Sequence, residues 1–183
     1  IDQIVSFFQH RGVRFALMHC VSMYPTPPEK LQLNLIETMR NRYPGITIGF
    51  STHEAPDNFS AVGIAYAKGA RLFEKHVGLP TSDIKLNTYS AMPEQVEQWI
   101  YAYQISMLSC GKENHDRIPD EKELEDLRSL MRGVYAKKEV KKGAPISRAD
   151  VFFAMPIQEG QLSSGKWRKG LVADRDYKMN EPI

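Results

Sequence analysis

Short apolar runs alternate with helical patterns through the first 110 residues of the chain. The apolar runs, which are typical of buried strands, lie at residues 14–20, 46–51 and 71–77. The helical patterns cover residues 28–43, 57–68 and 93–110. Strands and helices in strict alternation predict an α/β fold, in which neighbouring strands are parallel and are joined by right-handed crossovers.

The pattern changes after residue 111. Residues 112–128 are mostly polar and charged, which predicts a linker or an exposed helix at a domain boundary. The tail, residues 129–183, consists of short β-like pieces separated by Gly and Pro. Within it, residues 133–146 match residues 170–183 at five of 14 positions. We interpret this echo as a small β-domain with internal twofold symmetry, the alternative being a chance match between two turn-rich segments.

The composition excludes several classes of protein. Of 183 residues, 42% are hydrophobic and 25% are charged, which is too apolar for a disordered chain. A net charge of +2 does not suit binding to nucleic acid or to an anionic membrane, and no apolar run approaches the roughly 20 residues that span a bilayer. Two cysteines are too few for a disulfide framework, and no signal peptide is evident. We therefore expect a cytoplasmic protein, and the missing initiator Met suggests a piece of a longer chain.

Histidines cluster where the predicted strands end. Ligands bind at the carboxyl ends of parallel strands, and such strands lie about 4.8 Å apart. His53 follows the second strand and His76 lies near the end of the third, so their rings could converge on one cation, either Mn²⁺ or Zn²⁺ with further ligands. Alternatively, each histidine is a hydrogen-bonded core or rim residue, and the spacing alone does not decide between these interpretations. His19 and Cys20, which end the first strand, are more typical of packing residues.

Two further residues could complete a pocket at the same end of the sheet. Strand alternation places Glu74 on the same face as His76, whereas Lys75 points away. The alternative for Glu74 is a structural ion pair with Lys75 or Arg71. Ser51 could donate a hydrogen bond to a phosphate group near the next helix N-terminus, or it could be an ordinary turn or capping serine.

Three motifs carry a resemblance to a known family. They are His19–Pro27 (HCVSMYPTP), Gly49–His53 (GFSTH) and Glu74–His76 (EKH). In this order they resemble the sialic acid synthase (N-acetylneuraminate synthase) family, in particular the branch labelled spore coat polysaccharide biosynthesis protein E. The stretch from residue 129 to 151 is similar to the antifreeze-like (SAF, β-clip) domain of that family.

That resemblance implies a particular domain organisation. Residues 1–111 would be the last three βα units of a (β/α)₈ TIM barrel, residues 112–128 a linker, and residues 129–183 the SAF domain. A complete barrel needs about 250 residues, so the chain is expected to be the C-terminal part of the enzyme. The resemblance also implies a homodimer.

The resemblance also implies a reaction. His53 and His76 would hold a divalent cation, Mn²⁺ or Mg²⁺, with Glu74 beside it either as a catalytic carboxylate or as one that orients the ligands of the cation. Phosphoenolpyruvate would contact Ser51 and Ser22, and the sugar would contact Tyr24 and Asn87. The reaction joins C3 of phosphoenolpyruvate to the aldehyde carbon of an open-chain N-acylated hexosamine, such as N-acetylmannosamine. Its products are a nonulosonic acid, used in surface polysaccharides, and inorganic phosphate.

Departures from the family pattern concern mainly the sugar half of the site. Ser22 stands where many members have Asn, and Thr52 where Asp is usual. Met155 stands where the SAF domain usually presents the Arg of a Lys-Arg-Pro sequence, and Asp83 is an alternative to Asn87 under a different gap. Two other hypotheses therefore stay open: the same condensation with a different aldose, or a carbohydrate-binding scaffold without activity.

Overall fold

A computed structural model describes residues 1–113 and 115–183. The chain divides into two compact units, Ile1–Glu113 and Asn114–Ile183. The first unit contains four helices and three strands, in the order α1 (Asp2–His10), β1 (Ala16–Cys20), α2 (Asn34–Arg42), β2 (Thr47–Thr52), α3 (Ser60–Ala67), β3 (Leu72–Lys75) and α4 (Pro93–Cys110). None of the helices in the described residues is long and apolar enough to cross a membrane.

The three strands form one parallel sheet in the order β1-β2-β3, which confirms the predicted alternation of parallel strands and helices. The register aligns Cys20 with Ser51 and Ser51 with Glu74. The predicted helix over residues 28–43 is shorter in the structure. Residues Pro28–Lys30 form only a 3-10 turn, and Gln32 has a φ of 51°, so α2 begins at Asn34. A left-handed residue cannot continue a right-handed helix.

One face of the sheet packs against the helices. Ile48 and Phe50 of β2 are buried there with Ile36 of α2 and Ala65 of α3. His19 lies on this face too: its ring stacks on Phe50, and its Nε2 donates to the carbonyl oxygen of Leu31 at 2.7 Å. His19 is thus a hydrogen-bonded core residue.

The opposite face carries Met18, Gly49 and Leu72 in one row, followed by Cys20, Ser51 and Glu74 in the next. A Cβ atom on Gly49 would lie 2.3 Å from the Met18 sulfur and 2.6 Å from the Leu72 carbonyl oxygen. Only glycine therefore lets the Met18 side chain cross β2 at this register. This face bears Ser51 and Glu74, two of the residues predicted to be functional.

The second unit contains α5 (Glu121–Leu130), β4 (Gly133–Ala136) and β5 (Val151–Ala154). Helix α5 occupies much of the stretch expected to be a linker or an exposed helix. Asp120 is its N-cap, and the Asp120 side chain accepts a hydrogen bond from the Glu123 N–H at 2.7 Å. Strands β4 and β5 are antiparallel and enclose a small core. Its buried members include Val134, Ala136, Val140, Ile146, Val151, Ala173 and Tyr177.

The two echoing segments of the second unit pair with each other. Val140 and Tyr177, which are 37 positions apart in the sequence, exchange backbone hydrogen bonds of 2.9 and 2.8 Å. A shift of 37 positions also maps the bridge Tyr135–Pro182 onto the bridge Pro145–Val172. The sequence echo therefore corresponds to a local twofold relation whose centre lies between Val140 and Tyr177.

Candidate functional site

His53 and His76 meet just beyond the carboxyl ends of β2 and β3. Their Nε2 atoms are 3.2 Å apart. His53 is buried and its Nδ1 lies 3.2 Å from the Val21 carbonyl oxygen, whereas His76 is exposed. A carbonyl oxygen can only accept, so a proton on Nδ1 of His53 would complete this contact and would leave the lone pair on Nε2, towards His76. The lone pair of a neutral imidazole is the form that binds a metal ion.

The geometry of the pair fits a shared cation. Two nitrogens that bind one ion at about 2.1 Å and at right angles to each other lie about 3 Å apart, close to the separation found here. Among the described residues, no group of three or more His, Cys, Asp or Glu side chains is arranged to hold a metal ion. The candidate centre in this chain thus consists of two imidazoles, one of which contacts a backbone carbonyl oxygen through its Nδ1.

Ser51 and Glu74 lie one row below the imidazoles on the same sheet face. They are register partners across β2 and β3, with Ser51 buried and Glu74 exposed. The cations named as alternative partners of Glu74 are engaged elsewhere: Arg71 pairs with Glu113, and Lys75 pairs with Glu54. Neither of these two cations therefore pairs with Glu74, whose register places it on the same sheet face as Ser51.

Tyr24 packs on this centre from the loop after β1. Its ring lies edge-on to that of His53, with the centroids 4.5 Å apart, and 53% of the residue is exposed. The loop is tied to the end of β2 because the Thr26 N–H donates to the His53 carbonyl oxygen at 2.8 Å. The Thr26 hydroxyl also donates to the Met23 carbonyl oxygen at 2.8 Å. Tyr24 is therefore held over His53 by backbone contacts of its own loop.

Tyr89 is a site residue that the sequence analysis missed. Its ring centroid lies 5.0 Å from that of His76 and 5.1 Å from that of Tyr24. Asn87 shapes this loop, since its Oδ1 accepts a hydrogen bond from the Tyr89 N–H at 3.1 Å. The signal in the sequence was a lone aromatic residue in a polar segment just before α4, which is too common to single out.

The two other residues predicted to contact substrates are Ser22 and Asp83. Ser22 is exposed in the loop that carries Tyr24. Asp83, the alternative to Asn87, accepts a hydrogen bond from the neighbouring Ser82 hydroxyl at 3.1 Å. The structure thus brings His53, His76, Ser51, Glu74 and Tyr24 to one end of one sheet face, and it uses Asn87 to position Tyr89.

Comparison with known proteins identifies relatives of this chain. The model of a family described as the NeuB family matches residues 1–114. Among solved structures, one described as a spore coat polysaccharide biosynthesis protein E from Chromobacterium violaceum is 43% identical, with a TM-score of 0.79. That match covers all of this chain and 55% of the other.

Several curated relatives carry the names of synthases. A pseudaminic acid synthase from Campylobacter jejuni is 30% identical over 97% of this chain and 50% of its own length. An N-acetylneuraminate-9-phosphate synthase from Drosophila melanogaster is 40% identical over 45% of this chain and 22% of its own length. The chain spans about half the length of the Campylobacter protein.

Proposed function

The chain belongs to the NeuB family, and we propose that it carries the cation-binding and phosphoenolpyruvate-binding part of a nonulosonic acid synthase. The proposed reaction condenses phosphoenolpyruvate with an N-acylated hexosamine resembling N-acetylmannosamine, for surface polysaccharide biosynthesis. The observation that carries the proposal is the convergence of the His53 and His76 Nε2 atoms, 3.2 Å apart, at the end of the sheet face that bears Ser51 and Glu74.

His53 and His76 would hold the divalent cation, Mn²⁺ or Mg²⁺. When bound, the cation supplies Lewis acidity that polarises the aldehyde oxygen of the sugar. A proton on Nδ1 of His53, donated to the Val21 carbonyl oxygen, would leave its Nε2 free to bind without a tautomer change. Glu74, free of Lys75 and Arg71, would serve as the catalytic carboxylate next to the reacting carbons.

The substrates would lie on either side of the imidazoles. Ser51 and Ser22 would donate hydrogen bonds to the phosphate of phosphoenolpyruvate, because both hydroxyls follow strands at the binding end of the sheet. Tyr24 would line the sugar pocket, and Asn87 would contribute by presenting Tyr89. In the reaction a bond forms between C3 of phosphoenolpyruvate and the aldehyde carbon. Water then adds at C2, and inorganic phosphate leaves.

The domain organisation that goes with this function is also part of the proposal. Residues 1–111 would be the last three βα units of a (β/α)₈ barrel, and residues 129–183 a SAF domain, in a homodimeric cytoplasmic enzyme. The parallel order of β1, β2 and β3 supports the first assignment. The twofold pairing around Val140 and Tyr177 supports a small, symmetric β-domain for the second.

The identity of the acceptor sugar is the part of the proposal for which a specific alternative exists. The two named synthases among the relatives form different nonulosonic acids, so family membership does not select one aldose. Met155 stands where the resembled pattern has the Arg that reaches the acyl group of the sugar. A differently acylated or phosphorylated aldose is therefore the second candidate, and an inactive carbohydrate-binding scaffold is the third.

Phosphate release by the full-length gene product, supplied with phosphoenolpyruvate and Mn²⁺, separates the three candidates. Release that requires N-acetylmannosamine and is lost in His53→Ala is the expected result. Release only with another aldose would support the second candidate. Absence of both phosphoenolpyruvate binding and turnover with every sugar would contradict the proposed synthase and leave the scaffold. Exposed His10 on α1 offers the matched control, His10→Ala, which should release phosphate like the parent protein.

A further inference from the structure

Glu54 and Lys75 form an ion pair inside the first unit. The Lys75 Nζ lies 3.0 Å from Oε1 of Glu54, and the two side chains are 5% and 0% exposed. Of the ion pairs in the described part of the chain, this is the one in which both side chains are almost fully buried. The second carboxylate oxygen, Oε2 of Glu54, is also buried and has no hydrogen-bond partner.

Each residue of the pair is the sequence neighbour of one of the two histidines. Glu54 directly follows His53, and Lys75 directly precedes His76. Lys75 lies on the opposite side of β3 from Glu74, because successive strand side chains alternate. The ion pair therefore joins the two chain segments on one side, while the imidazoles approach each other on the other side.

Backbone pairing between the two segments ends just before the imidazoles. The last register pair of β2 and β3 is Thr52 with Lys75. Beyond it, the carbonyl oxygen of His53 accepts from Thr26, and that of His76 accepts from Ala91. Each histidine is thus bonded through its backbone to a different loop. The contact between Glu54 and Lys75 adds a buried side-chain link between the segments next to the imidazoles.

Burying two charges is costly, and an apolar pair of similar volume is often as stable. The unpartnered Oε2 of Glu54 adds to this cost, since a buried acceptor without a donor loses its hydrogen bonds to water. Stability alone therefore gives little reason for this pair. Its position between the segments that carry His53 and His76 gives a better reason for its presence.

We propose that Glu54 and Lys75 are positioning residues, which hold the His53 and His76 Nε2 atoms at the separation needed to share a cation. The inference rests on the proposed function, in which the two imidazoles bind that cation. Neither residue touches the substrates or the cation. They act through the backbone of the adjacent histidines.

The test compares the full-length gene product with its Glu54→Met/Lys75→Met variant. Removing both charges together avoids leaving one buried charge unpaired, so the variant is expected to unfold within a few degrees of the parent protein. The matched control is Glu37→Met/Lys68→Met, which removes a more exposed pair, 3.2 Å apart, between α2 and α3. Mn²⁺ affinity is measured by the electron paramagnetic resonance signal of free Mn²⁺.

The expected result is a Mn²⁺ affinity lowered about 10- to 100-fold by Glu54→Met/Lys75→Met and unchanged in the control, as for partners that orient metal ligands. Unchanged affinity in a folded Glu54→Met/Lys75→Met variant would overturn the inference. A second readout needs no metal: the ring NMR resonances of His53 and His76 in the metal-free protein should shift in this variant and not in the control. If the parent protein bound no Mn²⁺, the proposed function would fail, and unshifted ring resonances would still overturn the positioning role.

Discussion

His53 and His76 are 23 residues apart in the sequence, and their Nε2 atoms are 3.2 Å apart in space. They meet because α3 carries the chain back to the start of β3, so that β2 and β3 run parallel and end at the same edge of the sheet. The carbonyl oxygen of Val21, from the loop after β1, lies 3.2 Å from Nδ1 of His53. Residues from three βα units thus define one small centre.

Replacing either imidazole should remove cation binding. We expect His53→Ala and His76→Ala each to weaken Mn²⁺ affinity more than about 100-fold, because loss of a ligand costs more than loss of an orienting partner. Isothermal titration of each variant with Mn²⁺ provides the measurement. His10→Ala is the control, since His10 lies on α1 and bonds to the Ser6 carbonyl oxygen. Parent-like affinity in either single variant would rule out the shared cation.

Gly49 should be irreplaceable within the sheet. The Cβ of Gly49→Ala would press on the Met18 sulfur and the Leu72 backbone, and we expect a loss of about 1–3 kcal/mol in the free energy of unfolding. Gly165→Ala is the comparison, because its added Cβ meets nothing within 4 Å. Urea unfolding of both variants checks this. Equal stability of the two would show that Met18 does not cross β2 as described.

The twofold relation in the second unit predicts matching behaviour at Gly143 and Asn180. These residues occupy equivalent positions of the echo, and both have left-handed backbones, with φ of 79° and 66°. Gly143→Ala should lower the free energy of unfolding by about 1 kcal/mol, and Asn180→Gly should be close to neutral. Gly165→Ala again serves as the control. Urea unfolding in which Gly143→Ala is as stable as the parent would contradict this backbone requirement.

Asp150 should make the second unit sensitive to acid. Hydrogen bonds from Lys138, and from the Ser147 hydroxyl and backbone N–H, hold the pKa of Asp150 well below its usual range. A folded pKa below the unfolded value near 3.9 means that the carboxylate stabilises the fold at neutral pH. That contribution is lost as the pH falls below about 4 and through the folded pKa.

The test for Asp150 uses the Asp150→Asn variant. It should be less stable than the parent at pH 7, and the difference should shrink as the pH is lowered from 5 towards 2. Urea unfolding followed by Trp167 fluorescence in a Trp99→Phe background reports on the second unit. A stability difference that did not change with pH would contradict the assigned role of the carboxylate.

Much of the first unit could be predicted from the sequence, because apolar periodicity and helix ends are local signals. Helix α4 has the predicted bounds, since Pro93 can begin a helix and Gly111, with a φ of 68°, can end one. Helix α2 was predicted too long, because the composition of residues 28–33 gives no sign that Gln32 adopts a left-handed conformation.

The candidate site was only partly predictable. Alternation along β3 places Glu74 and Lys75 on opposite faces of the sheet, because that pattern has a strict period of two. The partner of Lys75 was not predictable, since Glu54 lies beyond the end of β2, where alternation no longer determines direction. Tyr89 was missed for a related reason: its position depends on a turn bonded through Asn87.

Product analysis tests the central claim most directly. The full-length gene product is incubated with ¹³C-labelled phosphoenolpyruvate, Mn²⁺ and N-acetylmannosamine, or a panel of other N-acylated and phosphorylated aldoses, and the products are examined by mass spectrometry. The account predicts a labelled product that contains the carbon atoms of both substrates, formed with one aldose and absent with His53→Ala. Phosphate release without such a product, or no labelled product with any aldose, would contradict it.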